Sequence, residues 1–133
     1  MKRKDAETQR INALSNLIIG AGIEVHRHLG PGLLESAYEE CLYYELNSLS
    51  VDVQRQVSIP VVYKEVKLDC GYRADLVVED SVIIELKAID KIAPIHGVQL
   101  LTYLRLLDKR LGILMNFNVP ILKQGIKRIV NNL

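Results

Sequence analysis

Between Tyr72 and Lys87 the chain carries two short runs, Tyr72-Arg73-Ala74-Asp75-Leu76-Val77-Val78 and Val82-Ile83-Ile84-Glu85-Leu86-Lys87, split by a polar Glu79-Asp80-Ser81 turn. Runs this rich in aliphatic residues, joined this tightly, fold as an antiparallel pair of strands. Alternation sends neighbouring residues to opposite faces. Tyr72, Ala74, Leu76 and Val78 therefore share one face of the first strand, with Arg73, Asp75 and Val77 on the other. In the second strand Val82, Ile84 and Leu86 oppose Ile83, Glu85 and Lys87. If Val78 and Val82 close the turn, Leu76 faces Ile84, Ala74 faces Leu86 and Asp75 faces Glu85. A slip of one residue would set Asp75 against Leu86 and mix the faces, which register selection disfavours.

The favoured register places two carboxylates side by side, their Cβ atoms about 4.5–5.5 Å apart, with Lys87 two residues further along the same face. Two anions at about 5 Å repel by about 3 kcal/mol at an effective dielectric of about 20. A divalent cation removes that penalty, and hard oxygen donors suit Mg²⁺ or Mn²⁺. The alternative is a partly exposed pair neutralised by Lys87 alone on a solvated sheet face, where such residues are common. The apolar character of the second strand weighs toward the metal site.

The rest of the chain frames this hairpin. Residues 1–10 are polar and read as a flexible N-terminus, followed by a single domain over 11–133. From Ile11, the spacing of Leu14, Ile18, Ala21, Val25 and Leu29 predicts an amphipathic helix, stopped at Gly30-Pro31-Gly32. A second helical pattern runs from Leu34 through Tyr38, Cys41, Leu42 and Leu46 to Leu49. Residues 51–63 read as a strand made irregular by Pro60, and 66–70 as a short strand. After Pro94 the helical period returns as far as Asp108, then Leu111 to Phe117 reads as a buried strand. Ile121, Ile126, Ile129 and Val130 fit a terminal helix or a strand. The order α-α-β-β-β-β-α-β predicts an α/β domain with a mixed β-sheet flanked by helices.

Two further features lie near the hairpin in this scheme. Gln99 and Tyr103, four residues apart, share one helix face, where an amide can hold a phosphate or a water. Glu35 opens the second helix one turn before Tyr38; an acid there also suits the helix dipole with no further role. His26 and His28 read as packing or surface residues rather than ligands, and Cys41 as core.

Together these residues resemble a known family. Asp75 followed by Glu85-Leu86-Lys87 resembles the D…(D/E)-x-K signature of the PD-(D/E)XK nuclease superfamily, with Ala74 where the superfamily's name has Pro. Gln99-Leu-Leu-Thr-Tyr103 is similar to the Q-x-x-x-Y helix of its RecB- and Cas4-like branches. Gly32-Leu-Leu-Glu35-Ser-Ala-Tyr38 is similar to the motif that names the GxxExxY proteins, a bacterial and archaeal group of that superfamily. The resemblance runs from about residue 12 to about 125. It implies a restriction-endonuclease-like core and a Mg²⁺- or Mn²⁺-dependent nuclease. Asp75, Glu85 and the Leu86 carbonyl would hold the metal, and Glu35 would complete the acidic cluster directly or through a water. Lys87 would orient or deprotonate the attacking water, and Gln99 and Tyr103 would position the scissile phosphate or the nucleophile.

Charge narrows the partners. Seventeen Lys and Arg against sixteen Asp and Glu exclude a bulk polycation that coats nucleic acid indiscriminately. The basic residues cluster, however: Lys109, Arg110, Lys123, Lys127 and Arg128 lie in a C-terminal stretch without acids. They and Lys2-Arg3-Lys4 are candidate phosphate contacts, DNA being favoured over RNA, and a homodimer would supply further surface. No apolar run approaches the roughly 18–20 residues of a membrane span, and nothing resembles a secretory signal; a cytoplasmic location is expected. No Walker-type glycine loop is present, which argues against nucleotide hydrolysis. Two rival readings remain: a non-catalytic nucleic-acid-binding or protein-interaction module on the same fold, which would not require Lys87, and a different metal-dependent hydrolase.

Overall fold

The computed structural model describes residues 3–133. Helix α1 (Arg3–Leu29) buries the expected stripe, Ile11, Leu14, Ile18, Ala21 and Val25. It begins at Arg3, so most of the polar lead expected to be flexible forms the helix's first turns, with mostly exposed side chains. Gly30 and Gly32, with φ of 66° and 99°, adopt the left-handed backbone that ends the helix and turns the chain. Helix α2 (Glu35–Ser48) follows, burying Tyr38, Leu42 and Leu46.

The segment expected as one irregular strand is two, β1 (Val53–Ser58) and β2 (Val61–Tyr63), separated at Ile59-Pro60. β2 turns through Lys64 and Glu65, both left-handed, into β3 (Val66–Leu68), forming a separate two-stranded hairpin. β4 (Arg73–Val78) and β5 (Val82–Lys87) form from the two aliphatic runs on either side of the Glu79-Asp80-Ser81 turn. Pro94 sits in the first turn of helix α3 (Pro94–Leu107), where its missing N–H is harmless. β6 (Leu111–Asn116) is wholly buried. The undecided C-terminal segment is a 3₁₀ turn (Leu122–Gly125) and a strand, β7 (Ile126–Val130). Five strands thus precede α3 and two follow it, one more on each side than expected.

The main sheet has the order β1-β4-β5-β6-β7, antiparallel except for the β5–β6 pair. Helices α1 and α2 pack on one face against Leu76, Ile84, Leu86 and Met115, and α3 packs on the other against Val77, Ile83 and Leu114. β5 is therefore central and covered on both sides, which explains its near-continuous apolar character. Cys41 is half-buried against the first core, and His26, buried, bonds the Val119 carbonyl at 2.8 Å through Nε2, while His28 pairs with Glu24 on the surface. Among the described residues no helix is long and apolar enough to cross a membrane.

Helix α3 lies so close to β6 that a Cβ on Gly112 would stand 2.7 Å from the buried Leu100 side chain. Gly112→Ala is expected to lower unfolding free energy by about 1–3 kcal/mol through overpacking, read as a shifted midpoint in urea denaturation.

Candidate active site

The β4–β5 register is the one the alternation demands: Leu76 faces Ile84, Val77 faces Ile83 and Val78 faces Val82. Ladder pairing stops there: the expected Ala74–Leu86 and Asp75–Glu85 ladder pairs do not form. One residue beyond, the two carboxylates replace the backbone as acceptors. Asp75 Oδ2 accepts from the Leu86 N–H at 2.8 Å, and Glu85 Oε1 accepts from the Asp75 N–H at 3.2 Å. The β1–β4 ladder is interrupted at the same level: it pairs Arg55 with Leu76 and Val57 with Ala74, but not Gln56 with Asp75. Gln56 takes a left-handed φ of 50°, and its amide donates to Asp75 Oδ1 at 3.3 Å and to Glu39 Oε1 at 2.6 Å. Arg55 anchors Glu39 from the other side at 2.9 Å.

This parting of the sheet corrects one expectation. Ala74 does not share a face with Leu76; it packs with Ile59, Val77 and Ile83 on the α3 side, where Tyr72 also meets Tyr103. β4 changes face at Asp75, because the residue opposite, Gln56, breaks the pleat.

Glu85 is 8% exposed, and burial, reinforced by the charge of Asp75, pushes its carboxyl up to about 8. The Lys87 charge opposes that shift and does not cancel it, and among the described residues Lys87 forms no ion pair. A wet acidic pair neutralised by lysine is therefore not what the fold builds. Two hard oxygen donors side by side, one of them buried without a compensating cation, fit Mg²⁺ or Mn²⁺. Residues in a strand point their N–H and C=O to the same edge, so the Leu86 carbonyl faces the opening where its N–H meets Asp75. No group of three or more His, Cys, Asp or Glu side chains among the described residues has metal-binding spacing. That is compatible with Mg²⁺, which commonly takes one or two carboxylates and keeps several waters.

Glu35 stands apart from the pair but reaches the same strand end: its Oε2 accepts from the Ala88 N–H at 3.3 Å. Tyr38, fully buried and stacked on Phe117 at 4.3 Å, donates to the Gly30 carbonyl at 2.6 Å and accepts from the Leu33 N–H at 3.1 Å. In Gly32-x-x-Glu35-x-x-Tyr38, then, the glycine supplies the turn, the tyrosine clips it, and the glutamate docks beside Lys87. Asn116, buried, fixes the next residue by bonding both the N–H and the C=O of Ile89.

From the opposite face α3 brings Tyr103, 7% exposed, toward the carboxylates; burial raises its phenol's pKa, with Glu85, Tyr72 and Asp75 adding to the shift. Gln99, one turn earlier, is exposed on the rim beside it. Of the basic residues, Lys127 is level with Glu85 through Leu114, two strands away. Lys123 is exposed in the 3₁₀ turn, and Arg128 is bonded to Asn12. Lys109 and Arg110 are not brought here. They precede β6, which runs parallel to β5, so they lie a strand's length, about 17–20 Å, from Lys87, engaged with Asp80 and Asp108. Lys4 belongs to the start of α1, whose Arg10 reaches Ser81 at that same far end; Lys2 lies outside the described residues. Gln56, Glu39 and Asn116 are the site residues that sequence reasoning misses, since nothing in their spacing marks them.

A mixed sheet flanked by helices, with β5 central and α1, α2 and α3 on its two faces, is a restriction-endonuclease-like fold. Residues 12–129 match the sequence profile of the PD-(D/E)XK nuclease superfamily, and the chain belongs to that superfamily. No curated protein and no solved structure matches it.

Because the Glu85 carboxyl holds its proton more tightly folded than unfolded, the metal-free fold binds more protons than the unfolded chain between about pH 4.5 and 8. The stability this group contributes is complete below that window and is lost as pH rises through it. Thermal melts in EDTA are expected to fall from pH 5 to pH 8.5 for the wild type and to be flatter for Glu85→Gln. Tyr38→Phe, which strands the Gly30 carbonyl and the Leu33 N–H, is expected to lose about 1–3 kcal/mol in urea unfolding.

Proposed function

We propose that this chain is a Mg²⁺- or Mn²⁺-dependent nuclease of the GxxExxY group that hydrolyses phosphodiester bonds, DNA in preference to RNA. The observation that carries the reading is Glu85: an acid buried beside a second acid, where the β1–β4 and β4–β5 ladders both break, with no ion pair among the described residues to hold its charge. A divalent ion, when bound, supplies Lewis-acid polarisation of the phosphoryl oxygen and favours ionisation of water.

The protein's own groups divide the remaining work. Asp75 and Glu85, with the Leu86 carbonyl, would hold the ion, and Glu35, which accepts from the Ala88 N–H, would complete the acidic cluster directly or through a water. Lys87, two residues beyond Glu85 on the same strand, would orient or deprotonate the attacking water and stabilise the charge developing on phosphorus. Tyr103 and Gln99 hold the phosphate from the α3 side. The two free cysteines suit the reducing cytoplasm, where we place the protein. With Lys109 and Arg110 committed elsewhere, the isolated chain has few free cations near the site, and binding is expected to be weak and salt-sensitive.

Purified protein incubated with linear, supercoiled and single-stranded DNA, and with RNA, is expected to cut in Mg²⁺ or Mn²⁺ and not in EDTA. Lys87→Ala should lower the rate by about a hundredfold or more while leaving Mn²⁺ binding in place. Cutting that persists in Lys87→Ala belongs to a contaminant. Metal binding with no cutting of any substrate would favour the non-catalytic module.

A further inference from the structure

Beside α3 and Val61 of β2 lies a groove of about 480 Å³, lined also by Tyr72, Ile95, Val98, Gln99 and Tyr103. It is the largest of the described concavities, within the range of about 300–1,000 Å³ typical of small-ligand sites. Its walls are apolar and open to solvent: Tyr72 is 45% exposed, Val98 58% and Ile95 65%. Neither core needs these side chains, and a concavity of this character calls for an occupant.

Tyr103 belongs to both places. It packs in the α3-side core with Ala74, the neighbour of Asp75, and the same ring lines the groove and meets Tyr72 at 6.0 Å and 56°. A phosphate held at the carboxylates is therefore one side chain away from an apolar slot bearing two aromatic rings, with the Gln99 amide on its rim. Aromatic rings beside a phosphate site are a stacking platform for a base that has left the double helix. A base inside a duplex is already stacked and cannot enter.

We propose that this groove binds an unpaired nucleobase adjoining the scissile phosphate, so that the substrate is single-stranded or locally unpaired nucleic acid rather than continuous duplex. The inference rests on the nuclease reading and names its substrate class. It makes Tyr72, which neither reaches the metal site nor supports the core, a substrate-binding residue.

The test combines anisotropy of fluorescein-labelled oligothymidine and of a blunt duplex in Ca²⁺ with cleavage of both in Mg²⁺, for wild type, Tyr72→Ala, Tyr72→Phe and Val98→Glu. Tyr72→Ala and Val98→Glu are expected to weaken oligothymidine binding and raise its KM by about tenfold, the size of one lost stack, with kcat, duplex binding and Mn²⁺ affinity unchanged. Tyr72→Phe, which keeps the ring, should behave as wild type. Both side-chain sites are exposed, and melting temperatures check that the variants fold. Tight oligothymidine binding sensitive to Tyr72→Ala, with no cutting, would uphold the groove and overturn the nuclease reading. Cutting of duplex and single strand alike, indifferent to Tyr72→Ala, would overturn the groove and leave the nuclease. Failure of the wild type to bind any oligonucleotide overturns the groove, as does a concentration-dependent dimer abolished by Val98→Glu with oligonucleotide binding intact, which would assign this face to a second copy of the chain.

Discussion

At Asp75 the sheet exchanges backbone acceptors for carboxylates, and most of the molecule's architecture serves that exchange. An N–H in a buried sheet must find a partner, because leaving it unpaired is expensive. Leu86 would ordinarily donate to the β4 backbone; it donates to Asp75 Oδ2 instead, and the Asp75 N–H turns to Glu85 Oε1. The two strands stay locked at the point where their ladder ends. The opening that results exposes the Leu86 carbonyl edge and both acids to the same small volume. Removing either acid would strand a backbone donor, the Leu86 N–H or the Asp75 N–H.

Holding that opening requires support from every layer. β1 yields by placing Gln56 in a left-handed conformation that a non-glycine residue seldom adopts in a strand, a strain found where function demands it. The Gln56 amide then ties Asp75 to Glu39 of α2, and Arg55 pairs with Glu39, so this buried acid has a cationic partner. The contrast with Glu85 is informative. The chain is able to partner a buried acid when it needs one quiet, and at Glu85 it does not. Beyond the strand end, Glu35, Asn116 and the Phe117 N–H fix Ala88, Ile89 and the Lys87 carbonyl, giving Lys87 a rigid base.

The register from Val78–Val82 to Leu76–Ile84 is legible in the residues because a one-residue slip would mix the polar and apolar faces; beyond it alternation fails, and Asp75 and Glu85 meet through side-chain bonds to each other's strand. The glutamate of Gly32-x-x-Glu35-x-x-Tyr38 and the tyrosine of Gln99-x-x-x-Tyr103 were legible as motifs, though the structure was needed to show Tyr38 acting as a clip. Ala74 was misplaced because the pleat is broken from β1, and nothing in the Gln56 neighbourhood signals a left-handed residue. Lys109 and Arg110 looked useful as a charge cluster, but which end of the sheet they occupy depends on β6 running parallel to β5, which a linear pattern does not reveal. The last strand escaped assignment because Ile121, Ile126, Ile129 and Val130 span a 3₁₀ turn and a strand, whose mixed spacing mimics a helix.

The central claim is that Asp75 and Glu85 are built to share one divalent ion. Calorimetric titration of Mn²⁺ into the metal-free protein at pH 7, repeated in buffers of different ionisation enthalpy, tests it most directly. The account predicts one bound ion, release of close to one proton from Glu85 as it binds, and at least about tenfold weaker binding in Asp75→Asn. Absence of binding, or equal affinity in wild type and Asp75→Asn, would contradict it.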